Sequence, residues 1–222
     1  DRSELKSYRF TLYHGYKVKQ VTDQTGAALD FRREHDYVTV TRGGAAVEYL
    51  CLEYTGKSPK YYSSYAGVCL PANFAYYPIP GYRELFSDNF YGFIDCSLPY
   101  DTACEVRCSG RKQMYCNLAA RGDNHFAGNA RSITLLSGYY DTLKLNDTLV
   151  VYPKYADGEI RARVKKNMGT FTKEHRDIRT IFIMGADNLT PYEHLRSYDG
   201  YVVTNSMIDM EQSYFESQID IS

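Results

Sequence analysis

Hydrophobic and polar residues alternate with a period of two along most of this chain, the pattern of β-strands with one buried face. We expect early strands at 8–13 and 16–21, followed by a β-branched run at 37–41. Gly43-Gly44 is a turn signal, so this run and the apolar stretch 46–54 are predicted to form a hairpin.

Later segments continue the strand pattern, and helical signals are few. Further strands are predicted at 132–139, 143–152, 159–166, 179–184 and 201–204. The strand at 159–166 carries a basic face, which we interpret as an ordinary solvated surface rather than an anion site; it consists of Arg161, Arg163, Lys165 and Lys166. One short helix is predicted at 190–197, since Asn188 or Thr190 can cap it and Pro191 suits its first turn.

These elements predict a mainly β fold. A chain of 222 residues can bury a sizeable core, and it contains no fixed repeat and no low-complexity linker. We therefore expect a single β-dominated domain over 1–222, an antiparallel barrel or sandwich with one short C-terminal helix. The acidic segment 208–222 is predicted to be a flexible tail.

An even number of cysteines, concentrated before the last hundred residues, predicts two or three disulfides and an oxidising compartment. They are Cys51, Cys69, Cys96, Cys104, Cys108 and Cys116. Cys96–Cys116 around Cys104–Cys108, or two crossed bridges, would leave Cys51–Cys69 upstream, and the pairing stays open. A zinc site is the alternative, but only the Cys104 to Cys108 step has a suitable spacing.

Two glycosylation sequons, at Asn146 and Asn188, agree with an extracellular, secreted protein. The order of the predicted strands and helix also agrees with an extracellular protein. Many antiparallel strands, then a helix at 190–197 and a final strand at 200–205, resemble the layout of the lipocalins. The resemblance implies an extracellular barrel that holds a small hydrophobic ligand. The Gly-x-Trp motif of that family is absent, since the chain has no tryptophan.

The aromatic composition suggests where such a ligand would bind. The chain has 23 Tyr and 10 Phe, and aromatic residues cluster between Tyr54 and Tyr100. An aromatic β core is the plain interpretation, and a ligand cavity is the functional one. The leading hypothesis is a non-enzymatic protein that binds a small hydrophobic or aromatic molecule through Tyr61, Tyr62, Tyr65, Phe74, Tyr76, Tyr77, Phe90 and Phe93.

The alternative hypothesis is adhesion to a cell-surface receptor through Arg121, Gly122 and Asp123, in a stretch of small residues that predicts an exposed loop. No catalytic residue, metal or cofactor is predicted: the five histidines are scattered, and His35 is interpreted as part of a solvated loop. An enzyme whose site assembles only in three dimensions is a third, weaker option. The net charge of -1 and the lack of a long apolar run argue against nucleic-acid and membrane partners.

Overall fold

The computed structural model of the chain describes residues 6–43, 47–58, 63, 66–72, 75–83, 97–98, 100–154, 159–184, 195–198 and 200–204. The helix in these ranges is α1 (Glu159–Glu174). The strands are β1 (Ser7–Thr11), β2 (Tyr16–Asp23), β3 (Phe31–Glu34), β4 (Tyr37–Thr41), β5 (Leu50–Gly56), β6 (Gly67–Leu70), β7 (Ile79–Pro80), β8 (Thr102–Arg107), β9 (Met114–Cys116), β10 (Ala119–Gly122), β11 (His125–Ala130), β12 (Leu135–Gly138), β13 (Tyr140–Leu145), β14 (Thr148–Pro153), β15 (Thr180–Ile183), β16 (Leu195–Tyr198) and β17 (Tyr201–Thr204).

The mainly β prediction is confirmed, but of the predicted antiparallel barrel or sandwich the closed barrel is wrong, and the strand pairs β14–β15 and β15–β17 are parallel. The described strands form five separate sheets, and none of these closes on itself. The chain forms two compact units: unit 1 is Asp1–Pro59 with Ala72–Leu98, and unit 2 is Lys60–Pro71 with Pro99–Ser222. No helix in the described part of the chain is long and apolar enough to span a membrane.

Unit 1 contains a four-stranded sheet in the order β3-β4-β1-β7 and a two-stranded sheet of β2 and β5. Period-two alternation buries Val38 and Val40 in β4, whereas a register shift between Val18 and Gln20 lets Val18 and Val21 of β2 both be buried. These valines join one core cluster of Leu12, Val18, Val21, Val38 and Val40. The hairpin predicted around Gly43-Gly44 is wrong, because β4 pairs with β1 and β3 while β5 pairs with β2. The two-residue connection between β3 and β4 gives β4 a nearer partner.

Unit 2 contains two three-stranded antiparallel sheets, β10-β11-β8 and β6-β12-β9, and one mixed sheet. The mixed sheet has the order β13-β14-β15-β17-β16. Its three inner strands are parallel, and its outer strands β13 and β16 are antiparallel to their neighbours. All four residues of β15 and of β17 are buried, as expected for strands that are covered on both faces.

Helix α1 packs on one face of the mixed sheet, and its position corrects two predictions. Residues 159–166 are helical rather than extended, because Val164, Met168 and Phe171 recur at helical spacing and are completely buried. Lys165 and Lys166 lie on the exposed side of this helix, so they do not belong to a basic strand face. The helix predicted at 190–197 is wrong over 195–197, which belong to β16; residues 185–194 and the predicted tail lie outside the described residues.

Candidate functional site

Arg121, Gly122 and Asp123 lie at the exposed end of the β10–β11 hairpin. Arg121 and Gly122 belong to β10, and all four residues of that strand are exposed. Asn124 completes the connection with a φ of 52°, and its amide oxygen accepts a hydrogen bond from the backbone N–H of Met114 at 2.9 Å. The predicted exposure of this tripeptide is therefore present in the structure.

Two of the eight predicted ligand-binding aromatics lie in the described part of the chain. Tyr76 is buried, and its ring contacts that of Tyr77 edge-to-face, with centroids 4.9 Å apart. Unit 1 has an open groove of about 500 Å³, but its lining includes Tyr8, Phe10 and Tyr49 rather than this pair. The remaining predicted residues lie outside the described residues: Tyr61, Tyr62, Tyr65, Phe74, Phe90 and Phe93.

The predicted disulfides are wrong for the cysteines that the structure describes. Cys51, Cys69, Cys104, Cys108 and Cys116 are all free thiols, whereas Cys96 lies outside the described residues. Cys104 and Cys108 are four residues apart along and just past β8, which separates their Cα atoms by about 13 Å in extended chain, too far for a disulfide. Burial raises the pKa of Cys116 to about 12, so its thiol stays protonated and unreactive.

The sequon at Asn146 lies in the tight turn between β13 and β14. The Asn146 amide donates a hydrogen bond to Thr172 Oγ1 at 2.8 Å, and the buried hydroxyl of Thr148 donates to the carbonyl of Ile178 at 2.7 Å. A glycosylating enzyme would recognise the Asn146 amide and the Thr148 hydroxyl. Both groups thus already make hydrogen bonds within unit 2. Asn188 lies outside the described residues, and glycosylation and secretion stay predictions.

The backbone of β16 forms a candidate binding edge. Among the described strands, β16 pairs only with β17 and so ends the mixed sheet. Tyr198 and Tyr201 face each other across a two-residue connection, so they form the hydrogen-bonded pair that closes the turn. Because bonded and non-bonded pairs alternate, the N–H and C=O groups of Ser197 and Leu195 point away from β17. These groups can pair with another extended chain.

Buried side chains hold β17, the neighbour of this edge, firmly in place. The Tyr201 ring is 2% exposed and contacts Phe182 edge-to-face at 6.1 Å. Its hydroxyl lies within hydrogen-bonding distance of the hydroxyls of Ser132 and Thr134, at 3.0 and 3.1 Å. On the other face of the sheet, Val202 belongs to the core cluster that contains α1. The edge strand therefore rests on a rigid support.

A second arrangement, in unit 1, brings two histidines to one carboxylate. His14 Nδ1 lies 3.0 Å from Asp36 Oδ1, and His35 Nδ1 lies 2.8 Å from Asp36 Oδ2. The centroids of the two imidazole rings are 4.4 Å apart. The carboxylate side chain is 8% exposed, whereas His14 and His35 are 42% and 69% exposed. We name this group the His14/His35/Asp36 cluster.

Backbone hydrogen bonds hold the segments that carry His14 and Asp36 together. The backbone N–H of His14 donates to Asp36 Oδ1 at 2.6 Å, and that of Leu12 donates to the Asp36 carbonyl at 2.8 Å. His35 has a φ of 49°, a conformation that costs a non-glycine residue on the order of 1 kcal/mol. Burial, and secondarily the Asp36 carboxylate, raise the pKa of Tyr13, so its hydroxyl remains neutral beside the cluster.

Sequence reasoning missed this cluster because His14 lies 21 residues before His35 and 22 before Asp36. The register of β1 against β4 places Thr11 opposite Tyr37, and this pairing brings the residues just beyond each strand together. The usable signal was the position of His35 and Asp36 directly before the predicted strand at 37–41. The sequence did not show which strand would pair with that one and bring His14 beside them.

No protein-family model and no curated protein matches the sequence. The fold resembles that of several solved structures, among them a hydrolase, an aminopeptidase N family protein and a zinc metallopeptidase. The structure of yeast LTA4 hydrolase in complex with bestatin matches 96% of this chain, with a TM-score of 0.64 at 10% identity. An aminopeptidase N family protein from Idiomarina loihiensis matches 91%, with a TM-score of 0.57 at 10% identity. A two-domain M1 zinc metallopeptidase bound to L-arginine matches 92%, with a TM-score of 0.51 at 12% identity.

These matches establish the fold and correct the predicted identity. The lipocalin resemblance is wrong, because the similar structures are an LTA4 hydrolase and an aminopeptidase N family protein, and the described sheets of this chain do not close into a barrel. The predicted small-molecule carrier and the alternative adhesion protein are wrong for the same reason. The chain spans 37%, 38% and 53% of the lengths of these three proteins.

Proposed function

We propose that this chain is a peptide-binding part of an M1-type zinc metallopeptidase, and that the outer edge of β16 receives an extended peptide. The fold match to yeast LTA4 hydrolase over 96% of the chain supports the class of protein. The observation that carries the peptide-binding role is the edge position of β16 in the mixed sheet.

An extended peptide paired with β16 adds a sixth strand to this sheet. Its backbone would bond to the N–H and C=O groups of Leu195 and Ser197, which gives affinity without a requirement for one sequence. The opposite edge, β13, is a weaker candidate, because it contacts α1 and because the turn that follows it is tied to that helix by the hydrogen bond from Asn146 to Thr172.

The proposal assigns peptide binding, and not hydrolysis, to these residues. A metallopeptidase zinc site of the His-Glu-x-x-His type needs two histidines on one helix face, with a glutamate as general base. The 222 residues contain no such motif. We therefore derive no hydrolytic step from this chain.

Backbone-methylated peptides test the proposal directly. A labelled five-residue peptide with high β-propensity, titrated into the protein, should bind measurably by fluorescence anisotropy. Two analogues N-methylated at alternate residues provide the matched control, because one loses the N–H groups that face β16 and the other loses those that face solvent. We expect at least tenfold weaker binding for one analogue only. Equal binding of both analogues, or no binding of the parent peptide, would contradict the proposal.

A further inference from the structure

We propose that the His14/His35/Asp36 cluster in unit 1 is a binding site for a divalent transition-metal ion of the zinc type. The three residues offer two imidazole nitrogens and a carboxylate, and their ligand atoms all lie within 4.8 Å of one another. This proposal concerns a site in unit 1 and does not depend on peptide binding at β16.

The donor set selects the class of metal. Imidazole together with carboxylate suits zinc and its neighbours in the first transition series, whereas calcium and magnesium prefer oxygen ligands alone. Zinc holds nitrogen and oxygen ligands at about 2.0–2.2 Å, so ligands of a tetrahedral ion lie roughly 3.3 Å apart. The two His-to-Asp distances, 3.0 and 2.8 Å, are already close to that separation. All three ligand atoms lie within 4.8 Å of one another, so they would have to move closer together for one ion to bind all three.

The cluster is held in place by contacts that leave the carboxylate facing the histidines. The Arg33 guanidinium donates from one NH₂ group to the carbonyls of Leu12 and Tyr13, at 2.8 and 3.0 Å. Its Nε donates to the carbonyl of His35 at 2.6 Å. Arg33 thus fixes the chain segments that carry both histidines. Each oxygen of Asp36 remains directed at a different imidazole.

A surface ion pair elsewhere in the same protein lacks two features of the His14/His35/Asp36 cluster. His125 Nε2 lies 2.8 Å from Glu105 Oε1, and the same oxygen accepts a hydrogen bond from Arg107 Nε at 2.8 Å. That carboxylate is 51% exposed and is shared with a cation, and one histidine faces it. The His14/His35/Asp36 cluster differs in its second imidazole and in its buried carboxylate, and His125 therefore offers a matched control.

Zinc titration of the folded protein tests the site. We expect His14→Gln and His35→Asn to weaken binding of one zinc equivalent at least tenfold by calorimetry, and His125→Gln to leave it unchanged. Asparagine is chosen at position 35 because it tolerates a positive φ, so the turn can fold without the imidazole. Circular dichroism checks that each variant is folded. Asp36→Asn removes the carboxylate ligand and is the third variant expected to weaken zinc binding.

Cobalt substitution separates this site from the free cysteines, which can also bind zinc. Bound Co²⁺ should show the spectrum of nitrogen and oxygen ligands without a thiolate charge-transfer band, and that signal should fall in His35→Asn. A thiolate band as the main signal would overturn the proposal. Zinc affinity that is the same in His14→Gln, His35→Asn and His125→Gln would also overturn it.

Discussion

The hydroxyl of Tyr201 lies 3.0 Å from Ser132 Oγ in the interior of unit 2, across 69 positions of sequence. Both residues are buried, and Thr134 Oγ1 lies 3.1 Å from the same hydroxyl. Loss of a hydrogen-bonding partner for buried hydroxyls costs about 1–3 kcal/mol. We therefore expect Tyr201→Phe to lower the free energy of unfolding by this amount, as measured by urea denaturation. Tyr139→Phe is the control, since Tyr139 is 67% exposed; equal losses in the two variants would contradict the buried cluster.

Helix α1 should show the helical pattern of sensitivity to substitution. Met168 is completely buried in the core of unit 2, whereas Lys165 on the same helix is exposed. Met168→Ala should cost about 2–5 kcal/mol of unfolding free energy, because it leaves a cavity. Lys165→Ala should change that energy by less than about 0.5 kcal/mol. A strand over 159–166 would place the sensitive positions at every second residue instead.

Substituting alanine for Gly138 and for Gly169 should change the free energy of unfolding in opposite directions. At Gly138, which has a φ of 151°, an added Cβ would overlap the Ala66 carbonyl oxygen and lie 2.6 Å from Gly67 Cα. We expect Gly138→Ala to lose more than about 1 kcal/mol of unfolding free energy. Gly169 lies within α1 and has nothing within 4 Å of an added Cβ, so Gly169→Ala should gain about 0.5–1 kcal/mol. Chemical denaturation of both variants checks the pair, and a stabilised Gly138→Ala would refute the close β6–β12 contact.

The buried thiol of Cys116 should make the protein less stable at alkaline pH. Burial raises the pKa of Cys116 from 9.0 to about 12. Between these values the unfolded chain loses a proton that the folded chain keeps, so the free energy of unfolding falls as pH rises. Cys116→Ala should show a shallower fall between pH 8 and pH 10.5 in thermal melts. Cys51→Ala, at an exposed position, should keep the slope of the unmodified protein.

Short-range patterns allowed much of the β structure to be predicted. The β-branched run at 37–41 is β4, and the apolar run at 201–204 is β17. The helix was missed because Arg161, Arg163 and Lys165 alternate with apolar residues over a short window. A longer window reveals the spacing of Val164, Met168 and Phe171, which a strand cannot bury on one face.

The candidate sites depend on strand pairing, which a single sequence does not specify. His14 and Asp36 meet only because β1 pairs with β4 in the register that places Thr11 opposite Tyr37. Likewise, β16 becomes an edge only because β17 pairs with β15 on its other side. The alternation of residues predicts which face of a strand is buried, but it leaves the neighbouring strand open.

The most direct measurement of the central claim is amide hydrogen exchange of β16 with and without the β-forming peptide. Peptide addition should slow exchange of the Leu195 and Ser197 amides, which face away from β17. The Arg196 amide, which pairs with β17, should change little, and the peptide methylated on its pairing edge should protect neither position. Unchanged exchange at Leu195 and Ser197 with saturating peptide would contradict binding at this edge.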